Sequence, residues 1–75
     1  MGTHYGLYDF MDRVQERYGL ELQVSNTLGD FGIDKDGFID FLFETFSFKD
    51  SSAGLIYNTI SYDMTFLDIY NHIFM

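Results

Sequence analysis

The chain has 75 residues, of which 47% are apolar and 20% aromatic, and it contains no cysteine and no proline. This length predicts one domain with a small core, and the lack of cysteine excludes a disulfide framework and a thiolate zinc site. Four basic and 12 acidic side chains give a formal net charge of −8, which disfavours nucleic acid and anionic membranes and favours basic partner surfaces.

The N-terminal stretch MGTHYGLYDF lacks the basic flank and apolar core of a signal peptide. No apolar run approaches the length of a membrane span. We therefore expect a soluble, cytoplasmic protein that forms a single domain over residues 1–75. Whether residues 1–5 belong to its folded part is left open.

The first predicted element is a helix over residues 6–18. Its apolar residues recur at helical spacing and fall on one arc, with charged residues opposite, and Gly19 is a natural left-handed stop. The residues on the apolar arc are Leu7, Phe10, Met11, Val14 and Tyr18.

Residues 20–35 are predicted to form a long ordered loop that packs its apolar side chains against the helices. Leu20, Leu22 and Val24 alternate with polar residues, so a strand is the alternative there. A loop of this length in a small domain is often functional. The side chains expected to point inward are Leu22, Val24, Leu28, Phe31 and Ile33.

The second predicted helix covers residues 35–47, with Asp34 as its N-cap. Its apolar arc is wide, and its polar surface is a single acidic stripe of Asp36, Asp40 and Glu44, spaced four residues apart. A helix with so little polar surface is expected in the middle of the fold. The apolar residues are Phe38, Ile39, Phe41, Leu42, Phe43 and Phe46.

Two further elements complete an all-α fold of four helices, with a short third helix and a long first loop. Residues 50–61 predict a short helix or irregular turn that points Leu55, Ile56 and Ile60 inward. Residues 65–74 predict the last helix, since Thr65 and Asp68 have the spacing of a capping box.

The order of these elements and two motifs resemble the acyl carrier proteins. The stretch GDFGIDKDGFIDFLFETFSF resembles the carrier pattern of Leu-Gly, a hydrophobe and Asp-Ser-Leu before a helix, with Phe31, Ile33 and Asp34 in matching places. Near the end, MTFLDIYNHI resembles the carriers' last helix. The resemblance implies a small four-helix acyl-carrier-like bundle over roughly residues 7–74.

The attachment position of the carrier serine departs from the family pattern, because it is occupied by Lys35. An ammonium cannot form the phosphodiester to phosphopantetheine, and the apolar position that follows is Asp36. The chain is more similar to a group of small bacterial carrier-like proteins that lack the serine. The resemblance therefore implies no cofactor, no acyl-carrying activity and no enzyme. Ser51, the other serine that follows an aspartate, lacks the Leu-Gly lead-in.

The same stretch also resembles an EF-hand loop when Gly37 is aligned with the conserved turn glycine. In this alignment the first ligand position is Gly32 and the closing bidentate position is Phe43. Too few oxygens remain for calcium, so no metal site is expected. Asp36 and Asp40 could in principle act as an acid–base pair, but a solvated helix face is the favoured interpretation.

The second helix is the candidate docking surface for a basic partner protein, since carrier proteins dock their enzymes through this helix. A charged stripe on an exposed helix is also expected for solubility alone, so both interpretations stay open. Phe41 or Phe43 would serve as a contact anchor if exposed. The candidate partner-binding residues are Lys35, Asp36, Asp40, Phe43 and Glu44. The alternative functions are an acidic inhibitor or immunity-type protein and a lipid-binding domain with a core cavity.

Overall fold

A computed structural model describes residues 5–48 and 53–74. The described residues form five helices, which confirms the predicted all-α class but not the predicted number of four. Three ends differ from the prediction by one residue, and the predicted third helix ends two residues earlier than expected. Its predicted start, residues 50–52, lies outside the described residues. The helices are α1 (Leu7–Tyr18), α2 (Leu28–Phe31), α3 (Lys35–Phe46), α4 (Ala53–Thr59) and α5 (Phe66–Phe74).

The additional helix, α2, lies inside the predicted first loop. Its capping box explains it: the Thr27 hydroxyl accepts from the Asp30 N–H, and the Asp30 carboxylate accepts from the Thr27 N–H, at 3.1 and 3.0 Å. Gly32 ends the helix with φ of 66°, a left-handed conformation that glycine adopts without strain. The connection between α1 and α3 therefore contains a helical turn that the sequence pattern did not predict.

The remaining loop is tied by its backbone to the start of α5. The N–H groups of Phe66 and Leu67 donate to the carbonyls of Asn26 and Val24 at 2.9 and 3.0 Å, and an isolated antiparallel bridge joins Thr27 to Thr65. The alternative of a strand over residues 20–24 is not supported, because these residues form no strand. The first amides of α5 are satisfied by the loop, as an otherwise unpaired helix end requires.

Helix α3 lies at the centre of the fold, as its wide apolar arc predicts. Five of its twelve residues are buried, and it packs against α4, while α1 packs against α5. Aromatic rings fill much of the core, and Phe10, Phe38 and Phe66 have no exposed surface. The buried residues of α3 are Phe38, Ile39, Phe41, Leu42 and Phe46.

Two of the side chains predicted to point inward are exposed instead. Phe31, the last residue of the single-turn helix α2, is 39% exposed, whereas Leu28 at the start of the same helix is buried. Leu55 is 72% exposed because α4 buries Ile56, and neighbouring residues of a helix point about 100° apart. None of the described helices is both long and apolar enough to cross a membrane.

Candidate docking surface on helix α3

The start of α3 is fixed by Asp34, in the role that the sequence predicts. A carboxylate oxygen of Asp34 accepts from the Gly37 N–H at 3.0 Å, and its carbonyl accepts from the Phe38 N–H at 2.9 Å. Such a cap stabilises a helix by about 1 kcal/mol. The carboxylate of Asp34 thus serves the backbone. Within the described residues no group of three His, Cys, Asp or Glu side chains could hold a metal ion.

The side chain of Lys35 is half-buried and held at the end of α4. Its ammonium donates to the carbonyl of Ile60 at 2.9 Å and lies 4.1 Å from the ring centroid of Tyr57 and 5.9 Å from that of Tyr62. Its backbone N–H donates to the Tyr62 hydroxyl at 3.0 Å. This residue does not fit phosphopantetheine, because it offers an ammonium where the ester needs a hydroxyl.

The acidic stripe of Asp36, Asp40 and Glu44 is exposed along its whole length, but its two ends differ. Glu44 lies 3.5 Å from the guanidinium of Arg17, and both side chains remain about half or more exposed, at 65% and 47%. A pair this exposed contributes at most about 1 kcal/mol but lowers the local negative charge. In the part of the chain that the structure describes, Asp36 and Asp40 form no ion pair. The negative end of the stripe is therefore its beginning.

The two phenylalanines that flank the stripe differ in how far their side chains are buried. Phe41 is 2% exposed, lies 6.1 Å from the ring of Tyr18 and carries the guanidinium of Arg17 over its face. Phe43 is half-buried and packs edge-on against Phe48 at 6.1 Å. Phe43 thus keeps its place as a candidate contact residue, whereas Phe41 belongs to the core.

One feature of the surface was not predicted from the sequence, and a second follows from the helical pattern of α1. Tyr57 and Tyr62, which surround Lys35, are far from it along the chain, and no periodicity links them to it. The outer face of α1 carries exposed Asp12 and Glu16 beside Tyr8, which is 83% exposed. Its charge was visible in the helical pattern of α1, so this face is a second acidic surface against which α3 must be tested.

An apolar groove of about 320 Å³ lies between α4 and α5, open to solvent. The core beside it is packed ring against ring, with centroid distances of 5.6 Å for Phe10 and Phe74 and 5.3 Å for Phe46 and Phe74. A lipid would therefore have to bind in the groove and not between the core rings. The groove is lined by Phe48, Leu55, Ile56, Thr59, His72 and Ile73.

A scan against models of known protein families, a search of curated proteins and a search of solved structures each found no match to this chain. The geometry around α3 and the charge of the chain are therefore what bears on its function.

Proposed function

We propose that this chain is a non-catalytic, acyl-carrier-like interaction domain that docks a basic protein surface through α3. The observation that carries the proposal is Lys35, which stands where the carrier pattern has its serine and whose ammonium is bound to Ile60 and the tyrosines. The order of α1, α3, α4 and α5, with Asp34 as the cap of α3, supports the same interpretation. A carrier layout without an attachment point leaves partner docking as its function.

Charge supports a basic partner. All three described basic side chains are engaged within the fold: Arg13 pairs with Asp9 at 3.1 Å, Arg17 with Glu44, and Lys35 with the Ile60 carbonyl. The exposed carboxylates of α3 therefore belong to a chain whose formal net charge is −8. Such a field raises the rate of encounter with basic surfaces and disfavours acidic ones.

Within α3 the roles of the candidate residues are unequal. Asp36 and Asp40 supply the charge that a basic surface meets first. Glu44 contributes less because Arg17 lies beside it. Phe43, half-buried at the border of the stripe, offers apolar area at the charged rim, an arrangement common in protein interfaces.

The proposal is tested by reversing charge on two faces of the same protein. A partner is first captured from the native host with the wild-type chain and identified by mass spectrometry. We then expect the double variant Asp36→Lys with Asp40→Lys to weaken its binding about tenfold or more. The matched control is Asp12→Lys with Glu16→Lys, which makes the same change of charge on α1, and it should weaken binding only slightly. Circular dichroism checks that both variants are folded.

Two results would contradict the proposal. If the α1 variant weakens binding as much as the α3 variant, or more, the docking face is not α3. If a transferase of broad specificity adds the mass of one phosphopantetheine arm to the co-expressed wild-type chain, the chain carries a cofactor after all. Loss of the partner's own activity on binding would instead favour the acidic inhibitor.

A lipid-binding function is the second candidate, and the apolar groove between α4 and α5 favours it. Leu55 and Ile73 line this groove from the two helices. Native mass spectrometry of the chain purified from its host would detect a bound lipid, and Leu55→Asp should abolish that signal. A lipid signal unchanged in this variant would rule out the groove as its site.

A further inference from the structure

An ammonium group is already bound at a defined place on this surface, between α4 and the turn that follows it. The Lys35 ammonium makes a hydrogen bond of 2.9 Å to the Ile60 carbonyl and lies over the Tyr57 ring, with Tyr62 as a second ring at 5.9 Å. A carbonyl acceptor combined with aromatic faces is the chemistry by which proteins recognise cationic ligands. We call Tyr57, Tyr62 and the Ile60 carbonyl the ammonium cradle.

Two of the three members of the cradle, Tyr62 and the Ile60 carbonyl, are held in place by contacts that do not involve the side chain of Lys35. The Tyr62 carbonyl accepts from the Gly29 N–H at 3.1 Å, and the Tyr62 hydroxyl accepts from the backbone N–H of Lys35. The Ile60 N–H donates to the Ile56 carbonyl at 3.1 Å, which fixes the position of Ile60. Shortening the side chain of Lys35 should therefore leave the cradle formed.

The cradle is also within reach of solvent. Tyr57 and Tyr62 are 41% and 46% exposed, although Lys35 covers part of each ring. Both rings would offer more of their faces to an external cation if the side chain of Lys35 were absent. No other described basic residue lies over either ring, since Arg13 and Arg17 stack on other aromatic side chains.

We propose that the cradle is a binding site for primary ammonium groups, filled by the chain's own Lys35, for which a lysine of the docking partner competes. The competition rests on the proposed function, whereas the site itself does not. An intramolecular occupant has an effective concentration of about millimolar or higher. A partner lysine therefore displaces Lys35 only when neighbouring contacts, such as those to Asp36, add to its affinity. Lys35 would thus select for partners that bring several basic groups.

The site is tested by titrating the folded variant Lys35→Ala with n-butylammonium, observed by NMR at the ring protons of Tyr57 and Tyr62. We expect saturable shifts in Lys35→Ala. The apparent affinity for n-butylammonium should be at least about tenfold weaker in the wild type, where Lys35 competes for the site. The double variant Lys35→Ala with Tyr57→Leu should lose them, and 1-butanol, a neutral ligand of the same shape, should not produce them. Absence of shifts in Lys35→Ala, or equal shifts with 1-butanol, would overturn the site.

A measurement on the wild type keeps the proposal testable if Lys35→Ala does not fold. The ring current of Tyr57 should move the ε-methylene protons of Lys35 upfield, and Tyr57→Leu should remove most of this shift. An ε-methylene signal at its ordinary position in the wild type would show that Lys35 does not occupy the cradle.

Competition with a partner lysine is tested with a decalysine peptide. Lys35→Ala should bind it about threefold or more tightly than Lys49→Ala, which loses the same positive charge elsewhere in the chain. Equal affinities of the two variants for decalysine would overturn the proposed competition between Lys35 and a partner lysine. Whether the cradle binds an ammonium group would still be decided by the butylammonium titration. Failure of the α3 charge reversal would be a separate result, because the butylammonium titration and the ε-methylene measurement involve no partner protein.

Discussion

The two ends of α3 lie in different surroundings. At its beginning, backbone and side-chain hydrogen bonds from Asp34, Lys35 and Tyr62 hold the helix. At its end, Phe46 packs edge-on against the rings of Tyr5 and Phe74, at centroid distances of 4.8 and 5.3 Å. The beginning is held mainly by polar contacts, whereas at the end, beside exposed Glu44, the ring of Phe46 packs into the aromatic core.

This difference separates the part of α3 that supports the fold from the part that is free to change. Burial of large rings stabilises by several kcal/mol per side chain and needs no particular partner, whereas a cap or a surface hydrogen bond contributes about 1 kcal/mol. The beginning of the helix can therefore replace a functional group without unfolding the domain. On the proposed carrier-like interpretation, Lys35 in place of the carrier serine is a substitution of this kind.

The largest effect is expected at the aromatic end. Phe46→Ala removes a ring that is 5% exposed and should cost about 3–5 kcal/mol of unfolding free energy. A domain of 75 residues has a total of only about 4–11 kcal/mol at 0.05–0.15 kcal/mol per residue. Urea denaturation followed by circular dichroism should therefore show the loss of a large fraction of the chain's stability.

The matched control for this change is Phe43→Ala on the same helix. Phe43 is half-buried, so its loss should cost clearly less than the loss of Phe46. Equal costs for the two substitutions would mean that the deeper burial of the Phe46 ring does not account for its contribution to stability.

A smaller effect is expected at the polar end. Asp34→Ala removes the acceptor of the Gly37 N–H and should cost about 1 kcal/mol in the same denaturation experiment. Asp34→Asn keeps a side-chain oxygen at the cap and should cost only a few tenths of a kcal/mol. A loss of several kcal/mol from Asp34→Ala would show that both ends support the fold equally.

The features that the sequence predicted correctly are those whose signals are local. Helical periodicity placed α1 and α3, Gly19 and Asp34 marked a helix end and a helix start, and the Thr65 hydroxyl does accept from the Asp68 N–H at 3.1 Å. Each signal lies within a few residues of the structure that it specifies. The same spacing at Thr27 and Asp30 signals α2, but only four residues separate this cap from the stop at Gly32, too few for helical periodicity to show.

The features that the sequence did not predict join residues that are distant in the chain. The pairing of Arg17 with Glu44 and the stacking of Lys35 on Tyr57 depend on how the helices pack. No local pattern encodes the helix packing that brings these residues together. The residues of the candidate surface were therefore predictable one by one, but not the cradle that encloses Lys35 or the neutralisation of Glu44.

The smallest effect on stability is expected for Tyr18, whose ring packs against Phe41 and whose pKa is affected by the Asp34 carboxylate. Its ring packs 6.1 Å from that of Phe41. Burial raises the pKa of its phenol above the ordinary value of about 10. The Arg17 guanidinium lowers this pKa and the Asp34 carboxylate raises it further. The folded chain therefore holds this proton more tightly than the unfolded chain. Its contribution to stability is complete below about pH 10 and is lost as the pH rises through the folded pKa.

Tyr18→Phe should accordingly reduce the loss of stability that the wild type shows above about pH 10, measured as urea midpoints across this range. Tyr8→Phe, at a side chain that is 83% exposed, is the control and should keep the wild-type slope. Asp34→Asn should move the slope part of the way toward that of Tyr18→Phe, because the carboxylate at the polar end is one source of the raised pKa. If Asp34→Asn leaves the slope unchanged while Tyr18→Phe reduces it, burial and Arg17 set this pKa and the carboxylate at the beginning of α3 does not contribute to it.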